Sequence, residues 1–110
     1  MQLEFQTFAY DIFNAIEEIE TFLKDVPTFD AYTADLKTRR AIERNLEIIG
    51  EAMNRMLKLD DQLHFADARK IVDTRNRIIH GYDTVSDEVL WSIATSNLKT
   101  LKAEIEQFLG

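Results

Sequence analysis

Apolar residues recur every three or four positions over most of this chain, and that spacing constrains the fold more than any other feature. In the segment from Leu3 to Lys24, the apolar positions are Phe5, Phe8, Ile12, Ile16, Ile19 and Leu23. Residues with this spacing lie on one face of an α-helix. The glutamates Glu17, Glu18 and Glu20 cover the opposite face. The segment therefore predicts an amphipathic helix, which ends before Pro27.

Three further segments carry the same pattern. We predict helices from about Ala34 to Leu59, from about Ala66 to His80, and from Ser86, a favourable N-cap, to the end of the chain. The residues of the third helix expected to face inward are Phe65, Ala68, Ile71, Val72, Ile78 and Ile79. Residues 28–32 are expected to form a short helical turn or loop that packs on the core, and residues 60–67 a polar loop.

Glycine and proline are scarce, which excludes folds that depend on many tight turns. Three glycines and one proline among 110 residues are too few for an all-β fold. The connections are short, and the chain has neither internal repeats nor a linker. We therefore predict an all-α protein, with residues 1–110 forming a single domain, an up-and-down bundle of four main helices.

The absence of cysteine excludes disulfides and thiolate metal sites. No apolar run approaches the ~20 residues of a membrane span, and the amino terminus lacks the basic-then-apolar pattern of a signal peptide. These features predict a cytoplasmic protein with no membrane association.

The least common chemistry of the chain is concentrated between Arg75 and Tyr82, in the sequence RNRIIHGY. One of the two histidines, His80, follows Arg75 by five positions. An arginine that can bind a phosphate and a histidine that can move a proton are the minimum needed to cleave RNA without a metal. Gly81 can end a helix in the left-handed conformation, and Tyr82 follows it. On spacing alone, however, His80 is more often a cap on the last carbonyls than a catalyst.

The helical positions of these residues set a geometric condition. At about 100° per residue, Arg75 and His80 are roughly 140° apart and do not share a face. The long arginine side chain can close part of the gap, or a second copy of the helix can close it across a two-fold dimer interface. Asn76 lies one turn before His80, where its side chain could orient the imidazole. Tyr82 could expose its hydroxyl near the imidazole or pack over the helix end.

A second polar segment, Arg44 to Ala52 (RNLEIIGEA), lies inside the second long helix. Gly50 in a helix interior costs about 0.5–1 kcal/mol relative to alanine, so it indicates that another backbone approaches closely. The residues expected to line a polar groove are Arg44, Asn45, Glu47 and Glu51. Glu47 and Glu51 repel each other at this spacing, so either a third group or water must satisfy them.

The net charge of −7 appears to oppose binding to nucleic acid, but the charge is unevenly distributed. Residues 37–58 hold six bases and three acids, and residues 69–82 hold four bases and one acid. Both polar segments therefore lie in locally positive stretches, as a site for nucleic acid would require. Ordinary solvated helix faces would show the same charge distribution.

Taken together, RNLEIIGEA and RNRIIHGY resemble the signatures of HepT-like toxins of the HEPN superfamily, and the resemblance covers nearly the whole chain. It implies a homodimer with an Arg-x4-His motif that cleaves RNA with no metal and no cofactor. Arg75 would bind the scissile phosphate, His80 would exchange the proton, and Asn76 would orient the site.

The resemblance also implies a partner. HepT-like toxins are paired with a small MntA-type nucleotidyltransferase antitoxin in a type VII toxin–antitoxin system. The antitoxin transfers AMP to the tyrosine of the motif, which is Tyr82 here. The loop Leu63 to Asp67 departs from the proline- and tryptophan-containing version expected of the family, which affects antitoxin docking more than the catalytic motif.

Two other function classes are compatible with a helical bundle. A non-catalytic module that binds a nucleotide and a nucleotidyltransferase shares the same fold and the same tyrosine, so the sequence barely separates it from the toxin. A di-metal carboxylate bundle requires Glu-x-x-His pairs. The residues three positions before His64 and His80 are Asp61 and Arg77, so that class is set aside.

Overall fold

The computed structural model describes residues 3–81 and 85–109, and within these ranges all regular structure is helical. The helices are α1 (Leu3–Asp25), α2 (Phe29–Ala34), α3 (Leu36–Leu59), α4 (Ala68–His80), α5 (Asp87–Ser92) and α6 (Leu98–Leu109). A π-helical turn, Ile93–Asn97, joins α5 to α6 without a break. The all-α helical bundle predicted from the sequence is confirmed, with its four main helices formed by α1, α3, α4 and the α5–α6 unit.

The long helix α3 lies between α1 and α4, and α1 also packs against α6. The apolar faces of these helices meet in one core. Its largest fully buried side chains include Ile12, Ile16, Ile19, Ile42, Ile49, Met53, Met56, Leu98 and Leu101. The apolar stripes predicted for α1 and α3 therefore lie at the centre of the bundle. Burial of their apolar area stabilises the fold. Among the described helices, none is long and apolar enough to cross a membrane.

Two helices begin two residues later than the approximate starts predicted from the sequence. The second long helix begins at Leu36 because Asp35 acts as its N-cap, with Oδ1 accepting a hydrogen bond of 3.1 Å from the Thr38 amide. The third helix begins at Ala68 rather than Ala66. The Ala66 amide instead donates to Glu104 Oε2 of α6 at 3.1 Å, which ties the preceding loop to α6.

The last helix was expected to be continuous, and the π-helical turn is a correction. Within it the Leu98 amide donates to the Ile93 carbonyl, five residues earlier. Next to it the Thr95 hydroxyl donates to the Trp91 carbonyl at 2.7 Å. A π-turn inserts one residue into a helix and rotates the face that follows. Ile93 and Leu98, at the two ends of this turn, are both buried.

The short helix α2 packs back onto the core, as expected for residues 28–32. Thr28 caps it by accepting a hydrogen bond from the Ala31 amide at 3.1 Å. Tyr32 is fully buried, and its ring lies 5.3 Å from the ring of Trp91, centroid to centroid. Burial, with the nearby charges of Asp87 and Glu43, raises the pKa of Tyr32 to about 12.

Candidate functional site

The candidate site lies along α4 and the neighbouring part of α3. Arg75 and Asn76 are half-buried, whereas His80, the last residue of α4, is exposed. Gly81 ends the helix with φ 65°, in the left-handed region, as the sequence predicted. Tyr82, the predicted modification site, lies outside the described residues.

Arg75 is held on two sides. Its Nη2 donates to Glu51 Oε2 of α3 in a close ion pair, and its Nη1 donates to Asn76 Oδ1 at 2.7 Å. Only 21% of the arginine side chain is exposed. The structure thus joins Arg75 and Asn76 directly, a contact that the sequence interpretation did not include.

The stem of Arg75 packs on Gly50. A β-carbon built on Gly50 would overlap Arg75 Cβ, and it would lie 2.8 Å from Arg75 Cγ and 3.3 Å from the Ile71 carbonyl oxygen. The close approach predicted from the glycine is confirmed, and the neighbour is α4. Gly50 is therefore required because α3 and α4 approach each other at the position of the motif arginine.

Glu51 is shared between two arginines. Its Oε1 accepts a hydrogen bond of 2.8 Å from Arg55 Nε, one turn later in α3, while Oε2 binds Arg75. The hydrogen bond from Arg55 lowers the pKa of Glu51 below its ordinary value, and the positive charge of Arg75 adds to the effect, while partial desolvation opposes it. Glu51 is thus an anion at neutral pH.

A groove of about 360 Å³ opens beside Arg75, between α1, α3 and α4. Its charged lining residues are Asp11, Arg44, Glu47, Glu51, Arg55 and Arg75. Glu47 is paired with Arg44 at 3.4 Å, so the expected repulsion between the two glutamates is offset by separate arginine partners. The polar groove predicted on α3 is therefore present, and its two α3 glutamates, Glu47 and Glu51, are paired with arginines of the chain.

Two residues are not where the sequence placed them. Asn45 was expected in the groove, but it is buried and its amide donates to the Ala41 carbonyl at 3.1 Å. Ile79 was expected to face inward, but it is 43% exposed and lines the groove. The groove consequently has an apolar edge next to the last turn of α4.

The role of Glu51 as the partner of Arg75 was missed in the sequence, since the two residues are 24 positions apart on different helices. The only sequence signal was the neighbouring Gly50, which indicated where α3 meets another element. In the described ranges, no cluster of three or more potential metal-binding His, Cys, Asp or Glu residues was found.

Comparison with known proteins identifies the family of this chain. The model of the family described as Ribonuclease HepT-like matches residues 12–108. A protein of Thermococcus cleftensis named Probable ribonuclease HepT is 33% identical over 108 residues, which cover 97% of each chain. A protein of Methanocaldococcus jannaschii that is named as an RNase is 30% identical over 105 residues, or 94% of this chain and 86% of the relative. No solved structure matches the chain significantly.

Proposed function

The chain belongs to the HepT-like ribonuclease family, and from this premise we propose that it is a metal-independent endoribonuclease, the toxin of a HepT/MntA-like toxin–antitoxin system. The proposal rests on the position of Arg75. This residue lies on α4, the helix that ends in His80, and its guanidinium is held at the edge of the groove. Arg75, Asn76 and His80 form the proposed catalytic site.

Each residue of the proposed site has a separate task. Arg75 binds the scissile phosphate and stabilises the negative charge that develops on its oxygens. His80 exchanges the proton: its imidazole takes one from the ribose 2′-hydroxyl as that oxygen attacks phosphorus, and the resulting imidazolium gives a proton to the leaving 5′-oxygen. Asn76 orients the site through its hydrogen bond to Arg75.

The half-buried position of Arg75 supports this role. A guanidinium has five N–H donors in a planar fork, and the bonds to Glu51 and Asn76 engage both terminal nitrogens. Because its guanidinium plane is fixed, Arg75 can direct its remaining N–H donors towards a phosphate. Pre-organisation of this kind favours the transition state, because the group does not reorganise during the reaction.

We propose that the active form is a homodimer. Arg75 and His80 are roughly 140° apart around α4, so two copies of the motif facing each other would provide both groups to one phosphate. The exposed Ile79 lies between them in sequence and supplies apolar surface on this part of α4. Net positive charge in residues 37–58 and 69–82 would favour RNA on an otherwise acidic protein.

The proposed regulator is a cognate MntA-like nucleotidyltransferase that adds AMP to Tyr82. Tyr82 follows His80 by two positions, so each AMP would place a bulky group and a negative phosphate near the site. The added charge would reduce the attraction for RNA, and the bulk would obstruct access. The proposed setting for toxin, antitoxin and RNA is the cytoplasm.

Expression of the chain in cells, alone and with a neighbouring nucleotidyltransferase, tests the proposal. We expect growth arrest by the chain alone, and a mass increase in AMP units after co-expression. The increase should be lost in Tyr82→Phe and retained in Tyr10→Phe, a control at an exposed tyrosine of α1. No arrest and an unchanged mass would instead favour a non-catalytic binding module.

A further inference from the structure

The motif arginine receives two contacts from consecutive residues of α3. Gly50 provides the space for the stem of Arg75, and Glu51 accepts a hydrogen bond from its terminal nitrogen Nη2. A larger residue at position 50 would displace the stem, and loss of the carboxylate at position 51 would release the guanidinium. The dipeptide Gly50-Glu51 therefore constrains both ends of the same side chain.

Glu51 is itself held in place. Its other oxygen accepts a hydrogen bond from Arg55 Nε at 2.8 Å, and the Arg55 guanidinium carbon lies 5.8 Å from the centre of the Phe8 ring. Cation–π contact with an aromatic ring restrains an arginine. Contacts therefore run from Phe8 through Arg55 and Glu51 to Arg75, and both oxygens of the Glu51 carboxylate have an arginine partner.

These contacts contribute little to stability, which separates a positioning role from a structural one. The Glu51 side chain is 39% exposed and the Arg75 side chain 21%, and ion pairs accessible to water typically contribute only about 0–1 kcal/mol. The position of a catalytic group has a larger effect on rate, since a misplacement of about 1 Å can cost on the order of 10²-fold.

We propose that Glu51 is a positioning residue for Arg75, acting with Gly50 to hold the guanidinium in the orientation that meets the scissile phosphate. This inference rests on the proposed ribonuclease function and extends it to a residue outside the Arg-x4-His motif. Glu51 does not contact RNA itself; it acts through Arg75.

The test is steady-state cleavage of an RNA fragment that the wild-type chain cuts, with Glu51→Gln as the variant. The substitution keeps the shape and removes the charge, so we expect kcat to fall about 10- to 100-fold with a smaller change in KM. Glu43→Gln is the matched control. Glu43 is another α3 glutamate paired with an arginine, Arg40 at 2.9 Å, outside the groove, and its substitution should leave kcat unchanged.

A double-mutant cycle with Arg75→Lys distinguishes positioning from general damage. If Glu51 acts through Arg75, adding Glu51→Gln to the Arg75→Lys variant should lower kcat by less than about two-fold, because the effects of coupled residues are not additive. An undiminished effect there would overturn the inference. Should the Gln variant fail to fold, Glu51→Asp keeps the charge but shortens the reach, and its kcat must also fall.

The outcomes separate this inference from the proposed function. If Arg75→Ala and His80→Ala are inactive but Glu51→Gln is as active as the wild type or more active, the positioning role is overturned and the proposed catalytic site is not. Full activity of Arg75→Ala and His80→Ala overturns the proposed catalytic site itself.

Discussion

The stem of Arg75 occupies the space above Gly50 in which the β-carbon of any other residue at position 50 would lie. This contact joins the two polar segments of the chain into one unit. RNLEIIGEA provides the glycine and the carboxylate, and RNRIIHGY provides the arginine that they hold. The segment on α3 is thus part of the candidate site, although its residues lie more than 20 positions before the Arg-x4-His motif.

Gly50→Ala should separate α3 from α4. In an exposed helix, alanine is favoured over glycine by about 0.5–1 kcal/mol. Here the new methyl group would lie 2.8 Å from Arg75 Cγ and 3.3 Å from the Ile71 carbonyl oxygen, and overpacking of this kind typically costs about 1–3 kcal/mol. We therefore expect a lower free energy of unfolding in urea and reduced RNA cleavage.

Gly81→Ala is the control for that experiment, because it changes a glycine without crowding a neighbour. A β-carbon on Gly81 meets nothing within 4 Å, but its φ of 65° is strained for alanine, by about 1 kcal/mol. Asparagine, which tolerates this region better, should recover part of the loss. A free energy of unfolding for Gly50→Ala equal to or above that of the wild type would contradict the packing described for Arg75.

Alkaline unfolding should depend on Tyr32. Burial raises its pKa from 10.0 to about 12, so the folded state keeps the phenol neutral while the unfolded chain releases the proton. The associated stability is fully present below pH 10 and is lost as pH rises towards 12. Tyr32→Phe should therefore lose less stability than wild type between these pH values, as measured by urea unfolding.

The same substitution should be tolerated at neutral pH. The Tyr32 hydroxyl is buried and has no hydrogen-bond partner among the described residues, so its removal leaves no polar group unsatisfied. Tyr10→Phe is the matched control, since Tyr10 is 51% exposed, and its alkaline unfolding should follow that of wild type. Identical curves for all three proteins would mean that Tyr32 ionises without cost to the fold.

The stripes of apolar residues predicted the helical architecture, because burial repeats with the period of the helix. They did not predict the π-helical turn, since Ile93, Ala94 and Leu98 fit an uninterrupted stripe equally well. Ile79 has the right period for the core but projects towards the groove instead. Periodicity identifies an apolar face, but it does not show how far the neighbouring helix extends along that face.

The candidate site was predictable only in part. Arg75, Asn76 and His80 stand out because polar and titratable residues cluster before a helix-ending glycine. The ion pair of Arg75 with Glu51 depends on the relative placement of two helices, which local sequence does not encode. Gly50 was the exception, because a glycine inside a strong helix has a cost that requires a packing reason.

The products of RNA cleavage should report the proposed chemistry. Attack by the ribose 2′-hydroxyl forms a bond from that oxygen to phosphorus and breaks the bond to the 5′-oxygen. The products are then a 2′,3′-cyclic phosphate and a 5′-hydroxyl, which mass spectrometry of the fragments distinguishes. Activity should persist in EDTA, because the proposed route uses no metal. A 3′-hydroxyl at the newly cut end of the upstream fragment would rule out this route.

Cleavage of RNA by purified His80→Ala, measured beside wild type and His64→Ala, tests the central claim most directly. His64 is an exposed loop histidine and His80 an exposed residue at the end of α4, so neither substitution removes a core side chain. General acid–base catalysis typically contributes about 10²–10⁴-fold, so the account predicts a loss of this size in His80→Ala and an unchanged rate in His64→Ala. Cleavage by His80→Ala at the wild-type rate would contradict it.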